Sequence, residues 1–243
     1  MNRLNKEKIG HIKKLINNNV SIREISRTLK IPLSTSHYNV RKISENYRKL
    51  VKVNIKIPDM EALGEILGIF AGDGSCSKEK YMIRISLSKT EYDYAKYIQS
   101  LFLNCFGKKY SLFQYDGVTI VQIKSKIIYN FLLKYLSWKR SKTYSIHLKR
   151  RIKNKKFGKG FLRGNFDTDG NIDDWNGYKR LTLATNSKQL TEDIKFYLKL
   201  INVSFYIRKY GKEIRIRIDK KNAIKFINNV GIHNNRYKFL KGE

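Results

Sequence analysis

Apolar residues recur at helical spacing in the first fifty residues. A capping-box pattern, Ser21 with Glu24 three positions later, predicts that a second helix begins after Ser21. Pro32 is acceptable in the first turn of a third helix, which is predicted to end near residue 46. The first helix is predicted over residues 6–18, where one face carries Ile9, Ile12, Leu15 and Ile16.

From residue 59 onward, helical patterns alternate with strands of period two. Tyr81–Ser88 and Lys179–Thr185 are predicted strands, each preceded by an apolar helix and followed by a helix, a hairpin and a closing helix. Ninety-six residues separate Gly68 from Gly164 and Asp73 from Asp169, and ninety-five separate Phe131 from Phe226. This nearly constant offset predicts an internal duplication and an α+β fold.

The two apolar helices end in related motifs. One is Phe70-Ala71-Gly72-Asp73-Gly74, and the other is Phe166-Asp167-Thr168-Asp169-Gly170. In each copy a glycine lies five residues before the last aspartate, so each helix delivers a carboxylate at its end. Two such carboxylates, brought together, form a predicted site for a hard divalent cation, which prefers oxygen ligands.

Charge narrows the class of partner. The 243 residues include 51 Lys and Arg against 20 Asp and Glu, a net charge of +31. So much like charge favours a polyanionic partner, above all nucleic acid, although a basic surface on a thermophilic or ribosomal protein is the alternative. The sequence shows no secretion signal and no apolar run long enough to cross a membrane. We therefore expect a protein that is not secreted, has no membrane partner, and lies either in the cytoplasm, associated with the nucleoid, or in an organelle. Cys76 and Cys105 offer neither a zinc ligand set nor a disulfide framework.

Residues 1–50 resemble the helix-turn-helix family, with residues 51–58 as a linker to the rest of the chain. A small three-helix packing module is the alternative interpretation. In the helix-turn-helix family the third helix enters the major groove of DNA. The resemblance therefore implies that the base-reading residues are Ser34, Thr35, His37, Tyr38 and Arg41.

The paired motifs, two copies in register, resemble the LAGLIDADG (DOD-type) homing endonucleases in their single-chain, two-repeat form. The resemblance implies two pseudo-symmetric αββαββα repeats, residues 59–148 and, with a basic linker over residues 149–159, residues 149–243. Together they would form a DNA-binding saddle in a monomer. Gly68 and Gly164 would let the two motif helices pack closely.

The same resemblance assigns the chemistry. Asp73 and Asp169 would be the catalytic metal ligands, with the backbone carbonyls of Gly72 and Thr168 completing the shell around Mg²⁺ or Mn²⁺, two ions in all. Ala71 departs from the family motif, because the corresponding residue of the second copy is Asp167. Asn165 is unusually polar for a helix interface, and it would either weaken the helix pair or find a partner across the interface. Basic residues after each closing helix would assist catalysis or, equally, only contact phosphates: Lys142, Arg236 and Lys238.

Residues that alternate with apolar positions on the strands are expected to face DNA. Half of them would contact only phosphates under the simpler interpretation. In the first repeat they are Arg84, Ser86, Ser88, Gln122 and Lys124. In the second they are Arg180, Thr182, Arg208, Arg215 and Arg217.

These features predict a metal-dependent, sequence-specific double-strand DNA endonuclease that acts in intron mobility. The alternative is a catalytically silent DNA- or RNA-binding relative, such as a transcription regulator or an intron maturase. Both aspartates are retained, which favours the enzyme, because a protein that only binds has no need for two carboxylates facing a phosphate.

Overall fold

A computed structural model describes residues 4–18, 20–43, 55–139, 141–175, 178–219 and 221–240, without the side chains of residues 174, 175, 178, 179 and 238–240. The chain divides into two compact units, Met1–Lys52 and Val53–Glu243. We describe each unit by itself.

The first unit contains three helices: α1 (Lys6–Asn17), α2 (Ile22–Thr28) and α3 (Leu33–Ile43). The Ser21 side chain accepts a hydrogen bond from the Glu24 amide at 3.2 Å, as the capping pattern predicts. The end predicted for α3, residues 44–46, lies outside the described residues. A separate apolar core holds the helices together, formed by Ile12, Ile16, Ile22, Ile25, Ile31 and Val40.

The second unit begins with a segment that has the element order αββαββα. Its elements are α4 (Met60–Ala71), β1 (Gly74–Ser77), β2 (Met82–Ser88), α5 (Tyr92–Phe106), β3 (Ser111–Tyr115), β4 (Val118–Lys124) and α6 (Lys126–Tyr135). The strands form an antiparallel sheet in the order β1-β2-β4-β3.

A short connection follows and carries β5 (Leu136–Ser137), α7 (Lys142–Ser145) and β6 (His147–Leu148). The next segment repeats the element order with α8 (Lys155–Asp169), β7 (Gly170–Trp175), β8 (Tyr178–Thr185), α9 (Lys188–Leu200), β9 (Tyr206–Tyr210), β10 (Glu213–Asp219) and α10 (Lys221–Val230). Its antiparallel sheet has the order β7-β8-β10-β9, which matches the first sheet strand for strand. A 3₁₀ turn over Asn235–Leu240 comes last.

The structure departs from the sequence predictions in two places. The basic linker expected over residues 149–159 is shorter, because α8 already begins at Lys155. The Asn154 side chain accepts a hydrogen bond from the Phe157 amide at 3.0 Å and fixes that start. The alternation pattern also does not predict the short strands β1 and β7, which begin at the glycines directly after Asp73 and Asp169.

Each helical layer packs on one face of a sheet. In β2 and β4 every second side chain is buried, and the side chains between them are exposed or partly exposed. The second unit is thus a mixed α/β structure with antiparallel sheets. Among the described residues, the helices pack on one face of each sheet and leave the outer face uncovered. None of the helices in the described part of the chain is long and apolar enough to cross a membrane.

Candidate functional site

The two motif helices, α4 and α8, approach so closely that their backbones touch. A Cβ atom at Gly68 would lie 2.3 Å from the carbonyl oxygen of Phe161, and one at Gly164 would lie 2.4 Å from the carbonyl oxygen of Glu65. Real Cβ atoms do not approach backbone this closely, so only glycine fits at these two positions.

A second glycine pair repeats this arrangement one turn earlier. A Cβ atom at Gly64 would lie 2.1 Å from the Phe157 carbonyl oxygen, and one at Gly160 would lie 2.0 Å from the Glu61 carbonyl oxygen. The contacts are reciprocal, and ninety-six residues separate each member from its counterpart. Sequence reasoning missed Gly160, although its offset from Gly64 was a signal that could have found it.

The close packing brings the ends of the two helices together. A Cβ atom at Gly72 would lie 3.2 Å from Oδ2 of Asp169, so the carboxylate of one helix lies beside the end of the other. Burial, the charge of Asp169 and the charge of Glu91 raise the pKa of Asp73 to about 7. Burial also raises the pKa of Asp169 above its usual range, against the opposing charges of Lys142 and Arg236. The two carboxylates therefore share one partly desolvated site.

Lys142 lies at the end of the first motif helix. Its ammonium donates hydrogen bonds to the carbonyl oxygens of Phe70 at 3.0 Å and of Ala71 at 2.8 Å, and also to that of Gly72. Burial lowers the pKa of Lys142 to about 8, although Asp169 and Asp73 both favour its charged form. A cation that satisfies helix C-terminal carbonyls is favourably placed in the helix dipole.

Arg236 lies in the corresponding place at the end of the second motif helix. Its guanidinium donates to the carbonyl oxygens of Thr168 at 2.8 Å and of Gly170 at 3.0 Å, one on either side of Asp169. The other end of the guanidinium pairs with Glu91 at 3.1 Å. The carbonyls of Gly72 and Thr168, implied as metal ligands, thus each accept a hydrogen bond from a cationic side chain. Lys238, the third basic candidate, has a side chain outside the described residues.

Comparison with known proteins bears directly on this helix pair. Residues 156–231 match the LAGLIDADG-like domain family, and residues 64–152 match the WhiA LAGLIDADG-like domain family. The chain carries two LAGLIDADG-like domains. No curated protein matches its sequence.

Solved structures share the fold. The homing endonuclease I-DmoI in complex with DNA and Ca superposes with a TM-score of 0.58 at 18% identity, over 76% of this chain and 98% of that one. The N-terminal LAGLIDADG domain of DUF199/WhiA gives 0.53 at 15%, over 76% and 90%. The homing endonuclease I-WcaI bound to its DNA recognition sequence gives 0.53 at 16%, over 80% and 88%. At such identities the likeness establishes the LAGLIDADG fold.

A buried polar network also links the two LAGLIDADG-like domains, and sequence reasoning missed it. Arg163 pairs with Glu65 at 3.2 Å and with Glu61. His233 Nδ1 lies 2.9 Å from the other oxygen of Glu65, and the His233 amide donates to Asp167 at 3.0 Å. Glu65, Asp167 and His233 present possible ligand atoms within 4.8 Å of one another. Burial raises the pKa of Asp167 to about 7.

Asn165, which sequence analysis identified as unusually polar for the interface, is buried. Its side-chain amide donates to the Phe161 carbonyl oxygen at 3.0 Å. The acceptor belongs to the preceding turn of the same helix, so Asn165 is satisfied without a partner across the interface.

The outer face of the first sheet carries the polar residues expected there. Arg84 lies opposite Gln122 in the register of β2 and β4, and its Nε donates to the Gln122 side chain at 2.5 Å. Every second position along the two strands is exposed or partly exposed, and these positions include Arg84, Ser86, Ser88, Gln122 and Lys124.

On the outer face of the second sheet, two arginines contact the ring of Tyr210, a residue that sequence analysis did not select. The guanidinium carbons of Arg215 and Arg217 lie 4.6 Å and 5.6 Å from the centre of its ring. Arg208 lies directly opposite Arg215 in the register of β9 and β10. The face thus presents arginines stacked on an exposed aromatic ring.

Two predicted residues of the second sheet lie in more crowded positions. Thr182 faces Arg217 across the sheet but is only 6% exposed, so its hydroxyl is covered here and differs from the open position expected. Arg180 pairs with Asp173 at 3.7 Å. In α3 of the first unit, by contrast, Thr35 is half-buried and the other predicted readers are exposed, namely Ser34, His37, Tyr38 and Arg41.

Proposed function

We propose that the chain is a metal-dependent, sequence-specific double-strand DNA endonuclease of the homing type. The observation that carries this proposal is the meeting of Asp73 and Asp169 at the ends of two helices in backbone contact. Lys142 and Arg236 lie beside them. Two desolvated carboxylates next to two cations suit phosphodiester hydrolysis, in which charge develops on phosphate oxygens.

The donor set fits a divalent cation. Asp73 has a pKa of about 7 because burial and the neighbouring carboxylate disfavour its charge, and a bound cation would relieve both effects. Asp73 and Asp169 would hold Mg²⁺ or Mn²⁺, two ions in the proposal. When bound, such ions supply a Lewis acid that lowers the pKa of a coordinated water and offsets charge on the leaving oxygen.

The chain's own cations have distinct roles in the proposal. Lys142 has a pKa of about 8, so near neutral pH it can hold a proton beside the carboxylate pair or release one. Arg236 places its guanidinium on the Asp169 side, where it steadies negative charge. Gly72 and Thr168 offer carbonyl oxygens that still have a second lone pair for a further interaction.

DNA binding would use three surfaces. The outer faces of the two sheets, as pseudo-symmetric halves of a saddle, would contact the grooves and backbone of one duplex. The first unit, as a helix-turn-helix domain, would add α3 to the footprint. The net charge of +31 supports strong, salt-sensitive association with DNA by a monomer.

Cleavage of a plasmid library that carries randomised and genomic inserts tests this proposal. The full chain should nick or cut a subset of inserts only when Mg²⁺ or Mn²⁺ is present. Asp73→Asn and Asp169→Asn should abolish cutting while DNA binding persists. Asp116→Asn is the matched control: it removes an exposed carboxylate from a hairpin turn, where asparagine tolerates the positive φ of 47°, and it should cut normally.

The second candidate function is a DNA- or RNA-binding relative that does not cleave. The match of the first domain, residues 64–152, to the WhiA LAGLIDADG-like domain favours it. Site-specific binding without cutting of any library insert, with either metal, would establish this second function and refute the first.

A further inference from the structure

The two cations beside the carboxylate pair are held in different ways. Within the described residues Lys142 donates its hydrogen bonds to backbone carbonyls, whereas Arg236 also pairs with the carboxylate of Glu91. Glu91 follows β2 in the first LAGLIDADG-like domain, and Arg236 belongs to the end of the chain beyond the second. One domain therefore supplies a charged partner for the cation of the other.

Glu91 is itself firmly fixed. It is only 8% exposed, and its Oε2 accepts a hydrogen bond from the Ser88 amide at 2.9 Å. Its Oε1 accepts a hydrogen bond from the Asn234 side chain at 2.5 Å and forms an ion pair with Nη1 of Arg236 at 3.1 Å. Since Asn234 also donates to the Asp167 carbonyl at 2.7 Å, the whole segment before Arg236 is tied to the second motif helix.

The guanidinium of Arg236 is held at both of its ends. Nη1 pairs with Glu91, and Nη2 donates to the carbonyls of Thr168 and Gly170. A planar fork with both ends engaged cannot rotate without breaking charge-assisted hydrogen bonds. Glu91 thus sets the position of the charge next to Asp169.

The corresponding position in the second domain carries no charge. Ninety-six residues after Glu91 comes Ser187, whose hydroxyl donates to the carbonyl oxygen of Ile146 at 2.7 Å. The Ser187 contact thus joins the residues after β8 to the connection that follows α6 of the first domain. Within the described residues it supplies no carboxylate partner for Lys142.

We propose that Glu91 is a positioning residue that fixes Arg236 beside Asp169 and makes the two halves of the site unequal. The inference rests on the proposed endonuclease function. It implies that the two DNA strands are cut at different rates, one beside a guanidinium fixed by a carboxylate and the other beside a lysine ammonium whose described hydrogen bonds go to backbone carbonyls.

The test measures the two strands separately. A duplex that contains the cleaved site carries a different fluorophore on each strand, and single-turnover rate constants are taken for both. Glu91→Gln places an amide donor against the donors of Asn234 and Arg236. It should change the ratio of the two rate constants by about tenfold or more, the loss expected when one partner of a buried ion pair is neutralised.

Asp193→Asn is the matched control. Asp193 is another buried carboxylate that accepts from a backbone amide, that of Leu148, and from an arginine, Arg151. Among the described residues Arg151 contacts Asp193 and the ring of Phe196 rather than either motif helix end, so Asp193→Asn should leave the strand ratio within about twofold while it lowers stability. Glu91→Asp, which keeps the charge but shortens the side chain, should shift the ratio in the same direction as Glu91→Gln and by less.

An arm without cleavage keeps the inference separate from the proposed function. In spectra of arginine-labelled protein, the signals of Arg236 are identified by their loss in Arg236→Lys. Separate, slowly exchanging Nη protons are expected in the wild type, and averaged ones in Glu91→Gln. A wild type that cuts nothing refutes the endonuclease, whereas unchanged Arg236 signals in Glu91→Gln, or equal slowing of both strands, refute the role of Glu91.

Discussion

Replacing Gly164 with alanine tests whether backbone contact between the two motif helices holds the second unit together. The added Cβ would lie 2.4 Å from the Glu65 carbonyl oxygen and 2.6 Å from the Ile69 amide nitrogen, while ordinary contact begins at 3.4 Å. Both obstacles are backbone, so no side chain can turn away. The helices must therefore separate by about 1 Å, and a gap of that size forfeits a quarter to a half of each dispersion contact it opens.

The loss falls on a large apolar interface, because Leu63, Ile66, Leu67 and Ile69 of α4 are all buried. Overpacking alone costs about 1–3 kcal/mol, and the rigid obstacle places Gly164→Ala at the upper end, at about 3 kcal/mol. Alanine in an open helical position would instead add up to about 1 kcal/mol of stability. The sign of the change is therefore diagnostic.

Urea unfolding, monitored by circular dichroism, measures the change. Gly10→Ala is the control, since nothing lies within 4 Å of a Cβ atom at that helical glycine, and it should not destabilise the protein. Gly68→Ala meets the same interface from the other helix. The double variant should then be less destabilised than the sum of the single variants, by about 1 kcal/mol or more, because the first substitution already separates the helices. A Gly164→Ala variant as stable as Gly10→Ala would refute the reasoning.

Three further outcomes are expected. Asp73→Asn should stabilise the metal-free protein by about 2 kcal/mol at pH 8 in urea unfolding. The pKa of Asp73 is about 7 in the folded protein instead of the ordinary 3.8, so the wild-type free energy of unfolding falls as pH rises from about 4 to 7. The value of about 2 kcal/mol is half of the full effect, because Asp73 is partly exposed and solvent screens its charge. The advantage should vanish near pH 4, and an equal gain at both pH values would contradict it. Arg163→Met should cost about 3–5 kcal/mol by the same assay because it breaks the buried ion pair with Glu65, and a cost below about 1 kcal/mol would contradict that assignment. Deletion of residues 1–52 should lower the affinity for DNA and reduce its dependence on salt concentration, both measured by fluorescence anisotropy. The second unit should still melt cooperatively. Unchanged affinity would exclude a DNA contact by the first unit.

Local patterns in the sequence predicted much of the second unit. The helix that ends at Ala71, just before Asp73, its counterpart that ends at Asp169 and the paired hairpins follow from apolar periodicity and turn residues, because those features depend on near neighbours in the chain. The short strands β1 and β7 do not follow from periodicity, since strands of four and six residues that begin at a glycine have too few alternations to be recognised.

The polar contacts of the site were beyond local reasoning. The Arg163–Glu65 pair joins residues 98 apart in the chain, and the His233–Glu65 contact joins residues 168 apart. Nothing in a window of neighbouring residues records such a partner. The prediction for Thr182 fails for a related reason: its strand position predicts an open outer face, but it is only 6% exposed, and exposure depends on the neighbouring strand, where Arg217 lies opposite.

The buried ion pair explains how a duplicated pair of helices encodes a single pairing. The glycine contacts are reciprocal, so by themselves they would allow each motif helix to pack with a copy of itself. The Glu65–Arg163 pair is not reciprocal, because the residues at the corresponding positions are Phe161 and Leu67. Two copies of α8 would bury Arg163 against phenylalanine, and two copies of α4 would bury Glu65 against leucine. Either arrangement leaves an unpaired buried charge at a cost of several kcal/mol, so only the pairing of α4 with α8 satisfies both residues.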